Sequence, residues 1–248
     1  MNRESASAPL MLVVQLTEEQ RRMIREQTGQ DITALPYETK APSVRCEFGG
    51  VRLRVVRGVF VPVAATEQVL QATLCATAGQ RNPIIAEVGT GSGAVALAAA
   101  KAMPGATVFA SDISRAALAC ARRNRARNGL RNVHFQHGSL LSSLPARLRG
   151  RVSVVVGNLP YLPPRLTAAL ASSFPPDTAI GIDEDGLGLP RQLAAAAREF
   201  LQPGGSLVLQ LAGFQWPEFI PELTALGYDE PVLSSTASNA PVAGLVHY

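Results

Sequence analysis

From Pro83 onward the chain repeats one unit: a short apolar run rich in β-branched residues, a glycine or polar turn, and a stretch whose apolar positions recur at helical spacing. The runs are IIAEV (84–88), ATVFA (106–110), VHFQ (133–136), VSVVV (152–156) and SLVLQL (206–211). They are continuous rather than alternating, the pattern of strands covered on both faces. Helices are expected between them at Gly93 to Ala102, Ser114 to Asn128, Leu187 to Phe200 and Pro217 to Leu226. Strands alternating with helices need right-handed crossovers, hence a parallel sheet flanked by helices with ligands at its carboxyl edge. YDEPVLSS and PVAGLVHY supply a last pair of strands. The expected fold is α/β, a doubly wound, mostly parallel seven-stranded sheet.

Ahead of the sheet, residues 1–45 read as a short appendage with one helix, Thr17 to Gln27, capped by Thr17 and stopped by Gly29. Residues 46–80 read as a hairpin, CEFGGVRLRV turning at Gly49-Gly50, and a linking helix that begins at Thr66. The domain proper is 81–248. With 47% apolar residues in 248, a sizeable core is available and disorder is excluded. No apolar run approaches the roughly 18 residues of a membrane span. The first residues lack the layout of a secretory signal, so a cytoplasmic location without membrane contact is expected. Cys46, Cys75 and Cys120 are odd in number and lack ligand spacing, so neither a disulfide framework nor a zinc site is expected, and all three read as buried thiols. From Ile113 to Pro176 there is no acidic residue but ten arginines, which suits either an anionic partner or a solvated helix face.

The first strand of the repeat runs into Glu87, Gly89, Thr90, Gly91, Ser92 and Gly93 before a helix. Alternate glycines let the backbone turn sharply and let a ligand lie on bare main chain, facing amides at a helix N-terminus. The second strand ends at Asp112, 23 residues after Gly89, where a carboxylate can accept from both hydroxyls of a ribose or cap the next helix. A nicotinamide dinucleotide also fits if Ala94 replaces the third glycine.

The end of the fourth strand, Gly157-Asn158-Leu159-Pro160-Tyr161, separates these readings. Here the sequence resembles the class I S-adenosylmethionine methyltransferases (Rossmann-like), specifically those that methylate planar nitrogen through an Asn-x-Pro-Tyr motif. The Asn158 side-chain oxygen and the Leu159 carbonyl can hold an NH2 group while Tyr161 covers its flat face. The likeness extends over residues 47 to about 215 to the release-factor glutamine N5-methyltransferase (HemK-like) family. It is carried by EFGG, Phe60-Val61-Pro62 before Thr66-Glu67, EVGTGSGA, Asp112, Asn158 to Tyr161, Glu184-Asp185-Gly186-Leu187 and Pro203-Gly204-Gly205. This resemblance implies S-adenosylmethionine as cofactor. Glu87, Gly89, Thr90, Gly91 and Gly93 would serve its methionine end and Asp112 its ribose, with Ile113, Ser139 and Asn158 around it. Asn158, Pro160 and Tyr161 would serve the target nitrogen. No metal is implied.

The sequence departs from the family in four places. Leu159 stands where the family usually has proline, Ser139 follows Gly138 where it usually has an acid, and the Pro62 to Glu67 segment lacks its arginine. The family's substrate-engaging helical domain would have to fit into about 45 residues with one evident helix. Alternative acceptors to a release-factor-like protein are therefore a small molecule or an RNA adenine, and a non-enzymatic binding protein is the remaining reading. His134 and His137 fall on opposite faces of a strand, His247 has no evident partner, and Trp216 reads as packing.

Overall fold

The computed structural model describes residues 13–15, 34–36, 43–164, 181–233 and 242–247. The helix expected at Thr17 to Gln27 lies outside the described residues. On either side of it, β1 (Val13–Gln15) and β2 (Ala34–Pro36) pair antiparallel, Val13 opposite Pro36.

β3 (Ser43–Phe48) and β4 (Val51–Val56) form the expected hairpin. Gly49 and Gly50 both have positive φ, 50° and 76°, as a two-residue turn between twisted strands requires. Every second residue of β4 (Val51, Leu53, Val55) is buried, while Arg52 and Arg54 face out. Helix α1 (Ala64–Ala76) starts two residues before Thr66, which instead sits at its third position with its hydroxyl accepting from the Val63 amide.

The repeat unit then builds β5 (Ile84–Val88), α2 (Ala94–Ala102), β6 (Thr107–Asp112), α3 (Arg115–Arg127), β7 (Val133–His137) and β8 (Val152–Gly157). α4 (Gly188–Phe200), β9 (Leu201–Leu211), α5 (Trp216–Ala225), β10 (Val232–Leu233) and β11 (Val242–His247) complete it. One sheet takes the order β10-β11-β9-β8-β5-β6-β7. The five strands β9, β8, β5, β6 and β7 are parallel, with β7 at one edge, and β11 and β10 extend the other side through antiparallel pairings. Alternate strand residues feed opposite layers, as double winding demands. Ile85, Val108 and Val154 pack against α1, α2, α3 and the hairpin, whereas Ala86, Phe109 and Val155 pack against α4 and α5. The hairpin and α1 thus share the core of the sheet.

The order also reverses beside β5. The chain runs outward through β6 and β7, then returns to place β8 on the other side of β5. At such a switch point two crossovers leave in opposite directions, and a crevice opens beyond the strand ends.

Candidate active site

Three neighbouring strand ends meet in that crevice. Val88 of β5 pairs with Gly157 of β8 and with Ser111 of β6, so Gly89, Asn158 and Asp112 leave the sheet side by side. The loop from Gly89 to Gly93 is shaped by its own hydrogen bonds. Thr90 N donates to the Ser111 carbonyl at 3.0 Å, and Gly93 N to the Thr90 carbonyl at 2.8 Å. Gly93 lies in the left-handed region at φ 81°, where a Cβ would come within 3.1 Å of Ala121, so glycine brings α2 and α3 together. Gly91 is open instead: a Cβ there would meet nothing nearer than Val59, at 4.0 Å. Bare backbone therefore faces the crevice at the N-terminus of α2, a surface suited to an anionic group.

The Asp112 carboxylate grips this loop. Its Oδ2 accepts from Gly91 N and its Oδ1 from Ser114 N, both at 2.8 Å. Helix capping itself falls to Ser114, whose hydroxyl accepts from Ala117 N. Each Asp112 oxygen thus accepts one loop amide and retains a second acceptor site for a ligand's hydroxyls.

Glu87 is placed differently from a lining residue. It is 5% exposed, and its Oε2 accepts from the Thr90 hydroxyl at 2.5 Å and from Ala96 N at 3.1 Å. It braces the loop against α2 from behind. Burial pushes its pKa up to about 8, against the lowering effect of those two bonds. Ile113, 72% exposed, projects from the end of β6 as an apolar wall. Ser139 is exposed in the turn after β7, its carbonyl accepting from Ser142 N and Oγ, and Gly138 N ties this turn to the Asp112 carbonyl.

On the β8 side Leu159 is buried, and its side chain lies under Gly89, where a Cβ would come within 2.9 Å of it. A proline is thus unnecessary for filling that space. The Asn158 amide is half-buried and makes no hydrogen bond to a described residue, which leaves it available at the crevice. Pro160 and Tyr161 are also half-buried. Burial raises the Tyr161 phenol well above its ordinary value, so the ring stays neutral.

A buried support beneath this segment escaped the sequence reading. Gln215 Nε2 donates to the carbonyls of Tyr161 at 2.7 Å and Asp185 at 2.8 Å, while its Oε1 accepts from Ala212 N. Gly186 packs so closely on the Tyr161 carbonyl that a Cβ would come within 2.2 Å of it. Arg191 clamps the same loop, holding Asp185 through two bonds and Glu222 through two more. Those bonds lower the Asp185 pKa and raise that of Arg191. The Asp185 to Leu187 run was visible in sequence, but its partners 30 and more residues away were not.

Elsewhere the structure corrects three expectations. His247 does have a partner, Ser206 Oγ at 2.9 Å from Nδ1. Cys75 is exposed and Cys46 half-buried, so only Cys120 is a buried thiol. β9 begins at Leu201 rather than Ser206, because Val152 and Leu201 pair before a register shift. His134 stacks on Phe109 with centroids 5.2 Å apart, while His137 meets the Ile113 carbonyl. Trp216 is fully buried beside Phe219. No helix among the described residues is long and apolar enough to cross a membrane.

The profile of a family described as "Methyltransferase domain" matches residues 85–183. A release factor glutamine methyltransferase of Deinococcus radiodurans is 41% identical over 188 residues, 75% of this chain and 66% of the relative. The chain spans 60% to 66% of the length of the first curated relatives it matches, all bearing that name. Among solved structures, a T. thermophilus 16S rRNA N2 G1207 methyltransferase in complex with AdoMet and guanosine aligns with a TM-score of 0.61 at 18% identity, covering 88% of this chain and 52% of the other. The ribosomal protein L11 methylase of Lactobacillus delbrueckii subsp. bulgaricus aligns at 0.57 and 21% identity, over 77% and 80%. At these identities the structural likeness concerns the fold.

Proposed function

We propose that this chain, which belongs to the class I methyltransferases and is related in sequence to the release factor glutamine methyltransferases, transfers a methyl group from S-adenosylmethionine to a planar nitrogen, the acceptor being a glutamine side-chain amide of a release-factor-like protein. The observation that carries this reading is the adjacency of the Gly89 to Asp112 cradle and the free Asn158 amide on neighbouring strand ends.

The residues present fit the cofactor. The open backbone at Gly91 and the amides at the start of α2 suit its carboxylate, the spare acceptor sites of Asp112 suit its ribose, and Ile113 offers an apolar surface for its adenine. When bound, S-adenosylmethionine supplies an electrophilic methyl on a sulfonium.

Everything else is alignment. An amide nitrogen is a poor nucleophile because its lone pair is delocalised into the carbonyl. Asn158 Oδ1 and the Leu159 carbonyl accept from its two N–H bonds, and Tyr161 covers its flat face. The lone pair is thereby aimed at the cradle, and solvent is kept from the reacting pair. The nitrogen would exchange one proton for the methyl, and Asn158 Oδ1 and the Leu159 carbonyl, which accept its N–H bonds, would hold that proton until it leaves to solvent with the product. Gln215 holds the Tyr161 carbonyl so that this geometry persists.

The test is transfer of labelled methyl to three acceptor pools offered separately: a peptide chain release factor, ribosomal RNA and a small-molecule extract. Label on the release factor that vanishes when its acceptor glutamine is replaced supports the reading. Label confined to RNA or to small molecules contradicts it.

A further inference from the structure

The arginines of the hairpin adjoin Arg123 and Arg127 of α3, while Arg122 and Arg125 on the other flank of that helix hold the β7 carbonyls of Phe135 and Val133. The free edge of β4 does not end in solvent. It is paired by side chains of α3 one turn apart, as another strand would pair it. Asn128 Oδ1 accepts from Arg52 N at 2.9 Å while Asn128 Nδ2 donates to the Arg52 carbonyl at 2.8 Å. Asn124 Oδ1 accepts from Arg54 N at 2.9 Å, and the Cys120 thiol donates to the Arg54 carbonyl. The hairpin is thereby fixed along the helix.

At about 100° per residue, Arg127 and, further round, Arg123 flank the Cys120, Asn124 and Asn128 stripe that meets β4, on the side away from the core-facing Ala117 and Ala121. Arg127 Nη1 also donates to Asn124 Oδ1 at 2.7 Å, which sets it beside Arg54. On the hairpin, register places Arg45 directly opposite Arg54 and Glu47 opposite Arg52. Like charges directly opposite on one sheet face destabilise it. Among the described residues, none of Arg45, Arg52, Arg54, Arg123 and Arg127 has an acidic group at ion-pair distance. On the far side of the molecule, Arg149 and Arg191 are ion-paired with Glu199, Asp185 and Glu222. Glu47 is the one acid on β3, β4 and α3, and it stands among these arginines without an ion pair to any of them among the described residues.

We infer that this face binds the phosphate backbone of a nucleic acid. A protein partner needs apolar anchors at the centre of its contact. The exposed large apolar residues among those described are Phe60, Ile113, Ile182, Val232 and Leu233, and none lies on β3, β4 or α3. A surface of arginines without anchors is what sequence-independent phosphate contact uses. The face also reaches the active-site loop, because Asn124 Nδ2 donates to the Ser92 carbonyl at 3.0 Å. Asn124 thus joins the β4 edge to the glycine loop.

The experiment is fluorescence anisotropy of the full chain with a short labelled single-stranded RNA, a duplex DNA and a poly-glutamate peptide. It is repeated across salt from about 50 to 200 mM, where counterion release is read from the slope of log K against log salt. Five arginine contacts to single-stranded RNA predict a slope of about −3.5. The triple variant Arg45→Ser, Arg52→Ser, Arg123→Ser removes side chains with no internal bond, and its slope should be shallower by about 2. The matching triple lysine variant should bind as the wild type does, and Arg81→Ser with Arg151→Ser, at the amino ends of the central strands β5 and β8, should change nothing. Tighter binding of RNA or of duplex DNA tells which nucleic acid the face prefers. No binding at the lowest salt, a serine variant with an unchanged slope, or tighter binding of poly-glutamate would each overturn the inference.

Discussion

Replacing Glu87 by glutamine should make the protein more stable at neutral pH and nearly insensitive there to changes in pH. The carboxyl is buried behind the glycine loop, and its pKa rises from the ordinary 4.5 to about 8, burial being the main cause. Between those values the folded chain keeps a proton that the unfolded chain has released, so stability falls as pH rises through the interval and levels off above it. Each pH unit in the interval costs about 1.4 kcal/mol, which gives at most about 4 kcal/mol between pH 4.5 and 7.5. A glutamine carries no proton to lose, and its amide oxygen can still accept from Thr90 and Ala96. Urea unfolding of both proteins at several pH values reads the difference directly. Their midpoints should diverge as pH rises from 4.5 to 7.5, the variant becoming the more stable. Parallel profiles would show that Glu87 ionises without penalty, and the loop would then be built around a carboxylate.

Gly89→Ala places a Cβ within 2.9 Å of Leu159 at a φ of 70°, so it should cost about 1 to 2 kcal/mol in denaturant unfolding and weaken acceptor turnover by displacing Asn158. Tyr161→Phe keeps the ring and should lose less than about 10-fold in kcat, whereas Tyr161→Ala, which removes the stacking surface, should lose about 100-fold. Because the buried phenol stays neutral, the Phe variant should also keep the wild-type rate profile on the alkaline side. Trp216→Ala empties a fully buried position at the first turn of α5 and should lower unfolding stability by about 3 to 5 kcal/mol.

Four of the five parallel strands are legible as continuous apolar runs covered on both faces; β7, expected to be covered likewise, is the edge strand with His134 and His137 exposed, and only its place in the repeat marks it. The glycine loop, Asp112 and Asn158 to Tyr161 were legible because strand ends at a switch point are where such folds put their chemistry. What the sequence hid depends on partners distant along the chain. Gln215 looks like an ordinary polar residue before Trp216, yet it is buried and bonded to carbonyls 54 and 30 residues away. Asn124 looks like a weak helix former inside an arginine-rich helix and Asn128 like the residue that ends it, and their value appears only once a strand edge lies against them. The resemblance gives Glu87 to the ligand's methionine end, and its burial and its bonds to Thr90 and Ala96, which tie it to the back of the loop, are not visible in sequence. The N-terminus of α1 shifted because Thr66 serves as the inner half of a cap and not as the cap itself.

The central claim is that one strand pair holds the cofactor and the next strand holds the acceptor. Equilibrium binding of S-adenosylmethionine, measured by calorimetry alongside methyl transfer, tests it with Asp112→Ala and Asn158→Ala. Losing charge-assisted hydrogen bonds to the ribose hydroxyls should weaken cofactor binding in Asp112→Ala by about 10- to 100-fold. Asn158→Ala should bind the cofactor as the wild type does and fail to transfer methyl. Equal loss of cofactor affinity in both variants, or undiminished transfer by Asn158→Ala, would contradict the account.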